Sequence, residues 1–170
     1  MKIFLIGMMG SGKSSVGKKL SEFCELPFYD TDEMIIRSEG ISIKDIFKNE
    51  GEKYFRHIES ESLKKTDSHG VISCGGGIIF NNQNRRYLKD NGSTIFLKSS
   101  ISTLKTRLLE NIDKNRPLID YGNIKKSLES TYENRKSFYI ECANTTIVTD
   151  NKSLSEICKK IIENLKIEKI

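Results

Sequence analysis

The sequence predicts an α/β fold, a parallel sheet with helices on both faces. Three observations carry this. Short apolar runs recur at residues 3–6, 26–29, 71–74, 94–97 and 145–148. Longer stretches between them place apolar residues at helical spacing, as Val16, Leu20 and Phe23 do. Strands alternating with helices pair in parallel, because each crossover helix returns the chain to the same edge of the sheet. The length, 170 residues, is that of one domain. Such a chain buries roughly two-thirds of its unfolded surface, so it needs neither disulfide nor metal to hold a core.

Taken in order, residues 3–6 read as a buried strand and 14–24 as the first helix. A second strand, 26–29, is started by Pro27. Short helices are expected at 32–38, 43–48 and 52–65, separated by Gly40 and Gly51, with Ser42 as an N-cap. The third strand, 71–74, runs into Gly75-Gly76-Gly77. Strands at 94–97 and 145–148 follow, with helical patterns between them, and a helix over 154–165 closes the chain. No internal repeat or Pro-rich linker divides this single domain, residues 1–170. Two polar inserts stand out, about 31–60 and 111–123.

Several classes are excluded. Apolar residues make up 36% and charged residues 30%, which suits neither a fibrous nor a membrane-embedded chain. No run approaches the length of a transmembrane helix. The short apolar start leads into a Gly-rich turn without a cleavage site, so no signal peptide is expected. A net charge of +5 would suit nucleic acid, but equally a pocket for anionic small molecules. Lys159, Lys160, Lys166 and Lys169 alternate with Glu156, Glu163 and Glu168, the pattern of a solvated helix face. Cys24, Cys74, Cys142 and Cys158 form no C-x-x-C pair, and reduced cytoplasmic thiols fit them best.

The most specific signal is Gly7-Met8-Met9-Gly10-Ser11-Gly12-Lys13-Ser14, which fits G-x-x-x-x-G-K-S/T with a strand before it and a helix after. Glycines there let successive amides turn inward toward phosphate oxygens. The helix N-terminus adds its positive end. Lys13 is expected at the β- and γ-phosphates, and the Ser14 hydroxyl on Mg2+. A nucleoside triphosphate ligand follows; its use does not. A GTPase needs Asn-Lys-x-Asp, and Asn151-Lys152-Ser153-Leu154 has Leu where the carboxylate belongs. Asp67-Ser68-His69-Gly70 precedes a strand and reads as a turn. A small kinase fits the length better than a motor ATPase.

Such a kinase needs a carboxylate on the metal side and a group for the acceptor hydroxyl. Asp30-Thr31-Asp32 closes the second strand, at the carboxyl edge where ligands bind in open α/β sheets. Two carboxylates at i and i+2 of an extended chain share a side. The alternative is an Asp-rich turn that caps the next helix. Arg56, with Glu59 one helical turn later, Arg135 and Arg116 are candidates for an anion clamp, since a guanidinium grips a carboxylate with two parallel hydrogen bonds.

Laid together, these pieces resemble the shikimate kinase family over almost the whole chain. The resemblance is closest at Asp30-Thr31-Asp32, Asp45-Ile46-Phe47, Gly51-Glu52, Phe55-Arg56-x-x-Glu59, Gly75-Gly76-Gly77 and Arg116-Pro117-Leu118. It implies a three-layer α/β/α fold with a five-stranded parallel sheet, of the P-loop nucleoside triphosphate hydrolase type. It implies a substrate-binding insert at about 31–60 and a lid at about 111–123. It implies transfer of the γ-phosphoryl of ATP to the 3-hydroxyl of shikimate, toward chorismate and the aromatic amino acids.

By position, the resemblance makes Asp32 the holder of the reacting hydroxyl, as base or as anchor. Lys13 and Arg116 join Asp32 in catalysis. Arg56 and Arg135 grip the shikimate carboxylate, and the Gly76-Gly77 backbone meets the ring. Gly10, Ser11, Gly12, Lys13, Ser14 and Ser15 hold the nucleotide, with Arg107 beside adenine and Arg116 swinging onto the phosphates. Ser14 and Asp30 attend Mg2+, Asp30 through water. The implied partners are shikimate and ATP, with no nucleic acid or membrane, for a cytoplasmic monomer.

The chain departs from the family pattern in places. Ser15 replaces a frequent Thr, and 149–154 lacks the Pro that often closes the adenine loop. His57 stands where a second Arg is frequent and reads as a helix-surface residue. Cys74 reads as a small packed residue whose thiol could make the site oxidant-sensitive. A gluconate kinase would share the phosphate loop without needing Arg56, the triple glycine and Arg135. A nucleic-acid-binding module would want aromatic residues along a basic stripe, and Trp is absent.

Overall fold

A computed structural model of the chain describes residues 1–110 and 121–166. Its strands are β1 (Lys2–Ile6), β2 (Phe28–Asp30), β3 (Gly70–Ser73), β4 (Ser93–Lys98) and β5 (Thr145–Val148). They form one sheet in the order β2-β3-β1-β4-β5, and every pair is parallel. The helices are α1 (Lys13–Cys24), α2 (Thr31–Glu39), α3 (Ile43–Asn49), α4 (Gly51–Lys64), α5 (Asn82–Asn91), α6 (Ile101–Glu110), α7 (Ile124–Cys142) and α8 (Leu154–Leu165). Among the described residues none is long and apolar enough to cross a membrane.

Side chains of β1 point alternately to two buried faces, so the strand is apolar from Ile3 to Ile6. Ile3 and Leu5 pack with Val16 and Leu20 of α1 and Ile157 and Ile161 of α8. Phe4 and Ile6 pack on the other face with Leu63, Leu88, Leu104, Leu128 and Tyr139, from α4 to α7. The helices α2, α3 and α4 add a small cluster of their own, Ile35, Ile46 and Phe55.

The boundaries follow local chemistry. Asp30 ends β2 and caps α2, its carboxylate accepting from the amides of Asp32 and Glu33. Gly40 ends α2 with φ of 71°, the left-handed conformation that favours glycine. The Ser42 hydroxyl accepts from the Asp45 amide at 3.1 Å and starts α3.

Three expectations change. The second strand starts two residues later than its apolar run, since Leu26 and Pro27 lead into it rather than belong to it. Phe23 shares the helical spacing of Val16 and Leu20 but is 47% exposed, turned out from the core. Asp30 and Asp32 do not share one extended strand: Asp32 stands in the first turn of α2, and capping by Asp30 makes that turn. The stretch expected as a lid, about 111–123, lies outside the described residues up to residue 120.

Candidate active site

The phosphate loop leaves β1 and turns at Gly7, Gly10 and Gly12, whose φ values are 145°, 77° and 92°. A Cβ at Gly7 would stand 2.6 Å from the Leu97 carbonyl oxygen. No side chain caps α1, so its first amides remain available to an anion. Lys13 Nζ donates to the Gly7 and Met8 carbonyls, both at 3.0 Å, and so lies along the loop. The Ser11 side chain is buried under the loop, whereas Gly10, Gly12, Lys13, Ser14 and Ser15 line the cleft above it.

Ser14 Oγ donates to Asp30 Oδ2 at 2.6 Å, which joins the start of α1 to the end of β2. These are hard oxygen donors beside the phosphate loop, the kind that Mg2+ accepts while keeping several waters. Arg107 reaches the loop from α6. It donates to the Gly10 and Ser11 carbonyls at 3.4 Å, and to the Thr149 hydroxyl and carbonyl at 3.2 Å. It thereby fastens the loop to the end of β5. Asp150, next to Thr149, accepts from the Ser100 amide at 3.0 Å, the Ser100 hydroxyl at 2.6 Å and Thr103 Oγ1 at 2.5 Å. Burial opposes ionisation of Asp150, but these bonds outweigh it and hold the carboxyl at about 2.

The triple glycine follows β3 and is fixed from two sides that sequence reading did not find. The buried Thr31 hydroxyl accepts from the Gly75 amide at 2.9 Å and donates to the Ser73 carbonyl at 3.4 Å. The Tyr139 hydroxyl donates to the Gly76 carbonyl at 2.6 Å. Burial pushes the Tyr139 phenol up to about 12, so it stays a neutral donor. Side chains crowd the strip. A Cβ at Gly75 would run into Glu59 and stand 2.9 Å from Asp32 Oδ1; one at Gly76 would stand 3.0 Å from Arg135 Nη1. At Gly77 it would collide with the Arg56 guanidinium.

Arg56 and Arg135 therefore flank the same strip. Arg56 Nη1 donates to Glu59 at 2.8 Å, and its Nε and Nη2 donate to Glu52 at 3.2 and 3.0 Å. Burial works against the Arg56 charge, yet Glu59 and Glu52 outweigh it and raise its pKa. Burial also raises the Glu59 carboxyl, against the pull of Arg56 and then Arg135. Arg135 is only 4% exposed, and its Nε has no hydrogen-bond partner among the described residues. A buried guanidinium with an unmet donor is costly unless an anion arrives. The same argument corrects the ordinary expectation that a lone Arg lies on the surface.

All these groups line one cleft of about 800 Å³: the phosphate loop, Asp30, Asp32, the triple glycine, Arg56, Arg107 and Arg135. Phe47 and Phe55 also line it. Arg116 lies outside the described residues. His57 is exposed on α4. Cys74 is 1% exposed, and burial pushes its thiol up, which disfavours the reactive thiolate. A phosphate cradle, a carboxylate and two arginines around one cavity define a P-loop kinase whose phosphoryl acceptor is a small anion.

A family model for shikimate kinase matches residues 9–166. The shikimate kinase of Dictyoglomus turgidum is 40% identical over 166 residues, 95% of each chain. The chain belongs to the shikimate kinase family. Among solved structures it resembles shikimate kinase from Acinetobacter baumannii in complex with shikimate, with TM-score 0.91 and 34% identity over 97% of this chain and 92% of that one. A gluconokinase from Sinorhizobium meliloti, 21% identical with TM-score 0.57 over 97% and 91% of the two chains, shares the fold.

Proposed function

We infer that the chain transfers the γ-phosphoryl of ATP to the 3-hydroxyl of shikimate, giving shikimate 3-phosphate and ADP, a step toward chorismate and the aromatic amino acids. The observation that carries this is that two unlike recognition elements line one cleft. Backbone amides of the loop and of α1 suit phosphates, and the buried, under-satisfied Arg135 with Arg56 suits a carboxylate.

The roles follow from place. Gly10, Ser11, Gly12, Lys13, Ser14 and Ser15 hold the triphosphate, Ser11 through its backbone. Lys13 leaves its carbonyl partners for the β- and γ-phosphates. Ser14 and Asp30 would hold Mg2+, Asp30 through water. When bound, the ion neutralises charge on the transferring group. Arg107 orders the adenine side by fastening the loop to Thr149. Arg56 and Arg135 take the carboxylate, Gly76 and Gly77 let the ring pass close to the backbone, and Asp32 fixes the 3-hydroxyl. Arg116 completes the phosphate clamp from the lid, about 111–123. The helices α2 to α4, with their own apolar cluster, form the substrate-binding insert at about 31–60 of the single domain. Positioning and charge neutralisation supply most of the acceleration in such reactions.

We place the enzyme in the cytoplasm as a monomer acting on small molecules, without nucleic acid or membrane. Its four cysteines, all free thiols, suit a reducing compartment. An assay coupled to ADP release over a panel of hydroxy acids tests the function. Shikimate should be turned over; turnover of gluconate and not shikimate would overturn the assignment.

A further inference from the structure

Phe80 stands beside the cleft without lining it. It ends the short 3-10 turn Ile78–Phe80 that follows the triple glycine, and it is 42% exposed. Its ring centroid lies 5.8 Å from the Arg56 guanidinium carbon and 5.3 Å from that of Arg135. A single aromatic ring thus meets both cations of the carboxylate grip.

The ring is itself held in place. Arg85 donates to the Ile79 carbonyl at 2.9 Å and the Phe80 carbonyl at 3.2 Å, which fixes the turn. Phe138 of α7 meets the ring edge-on, with centroids 6.1 Å apart. Arg85 in turn lies 4.7 Å over Phe138. The brace runs from α5 through α7 to the turn.

Two guanidinium groups held close repel one another. Glu59 and Glu52 serve Arg56 directly, but no carboxylate bonds Arg135 among the described residues. The negative face of an aromatic ring attracts a cation without consuming its hydrogen-bond donors. We propose that Phe80 is a positioning residue: its ring orients Arg56 and Arg135 together, leaving the Arg135 donors for the substrate carboxylate.

This rests on the proposed shikimate site, so wild-type turnover of shikimate is measured first; its absence would fail that reading rather than this one. Given turnover, Phe80→Leu keeps apolar bulk and removes the π face. It should raise KM for shikimate roughly tenfold, with kcat and KM for ATP within about twofold. Phe80→Tyr should restore the wild-type value. In an Arg135→Lys background the Phe80→Leu effect should shrink, because the two substitutions disturb one arrangement. Far-UV circular dichroism and thermal melting should show Phe80→Leu folded, as its exposure implies. An unchanged KM for shikimate, equal rises for both substrates, failure of Tyr to rescue, or full additivity with Arg135→Lys would each overturn the proposal.

Discussion

Tyr139 holds Gly76: its buried phenol donates to the Gly76 carbonyl at 2.6 Å, and α7 presents Arg135 one turn earlier. One helix thus sets both the backbone strip and a cation beside it. Tyr139→Phe keeps the ring stack on Phe96, whose centroid is 5.0 Å away, and deletes only the hydroxyl. Stability should fall by about 1 kcal/mol in chemical denaturation. KM for shikimate should rise several-fold, and KM for ATP should stay constant.

Thr31 anchors the other end of the strip. Thr31→Val keeps the shape but leaves the buried Gly75 amide without its acceptor, costing about 1–3 kcal/mol. Thr31→Ser should retain most of the stability. If urea unfolding ranks valine with serine, the Thr31–Gly75 bond contributes nothing measurable.

Gly77→Ala asks a narrower question. Gly77 has φ of −100°, which alanine adopts without strain. The three atoms nearest the added methyl all belong to the Arg56 guanidinium. Moving Arg56 aside loosens its pairing with the buried Glu59, so the melting temperature should fall modestly while KM for shikimate rises at least fivefold. A large loss of stability would show that Arg56 has no room to give.

Asp32→Asn should lower kcat by at least about 100-fold, the scale for removing a positioned acid–base group or hydroxyl anchor. Nucleotide binding, followed by calorimetry with ADP, should remain near wild type. Normal turnover would remove Asp32 from the mechanism.

Asp150 gives a pH-dependent stability whose sign is fixed. Its folded-state carboxyl is depressed from the ordinary 3.8 to about 2. The stabilisation is present above the unfolded value and is lost as pH falls through the folded one. Asp150→Asn should therefore melt lower than wild type at pH 6, with the gap closing between about pH 4 and pH 2. A gap that persists to pH 2 would locate the effect elsewhere.

Much of the fold was readable because its signals are local. The last helix starts at Leu154 as expected, because Ser153 and Glu156 form a reciprocal capping box three residues apart. The phosphate loop was equally plain, since its glycines, Lys13 and Ser14 sit between a strand and a helix. What escaped depends on contacts through space. Thr31 meets Gly75 across 44 residues, and Tyr139 meets Gly76 across 63. Periodicity carries no trace of such pairs. Arg135 is a clamp candidate from the sequence, but nothing adjacent to it reports that its guanidinium is buried beside Gly76. Asp30 and Asp32 were brought to one cleft by a different route than expected, a helix cap instead of a shared strand face.

One cleft is expected to bind phosphates through its loop and a carboxylate through Arg135. Calorimetric titration of shikimate and of ADP into wild type and Arg135→Ala tests it most directly. Removing one partner of a buried ionic contact costs about 2–5 kcal/mol, so shikimate affinity should fall at least thirtyfold while ADP affinity holds. Equal losses for both ligands, or undiminished shikimate binding, would contradict it.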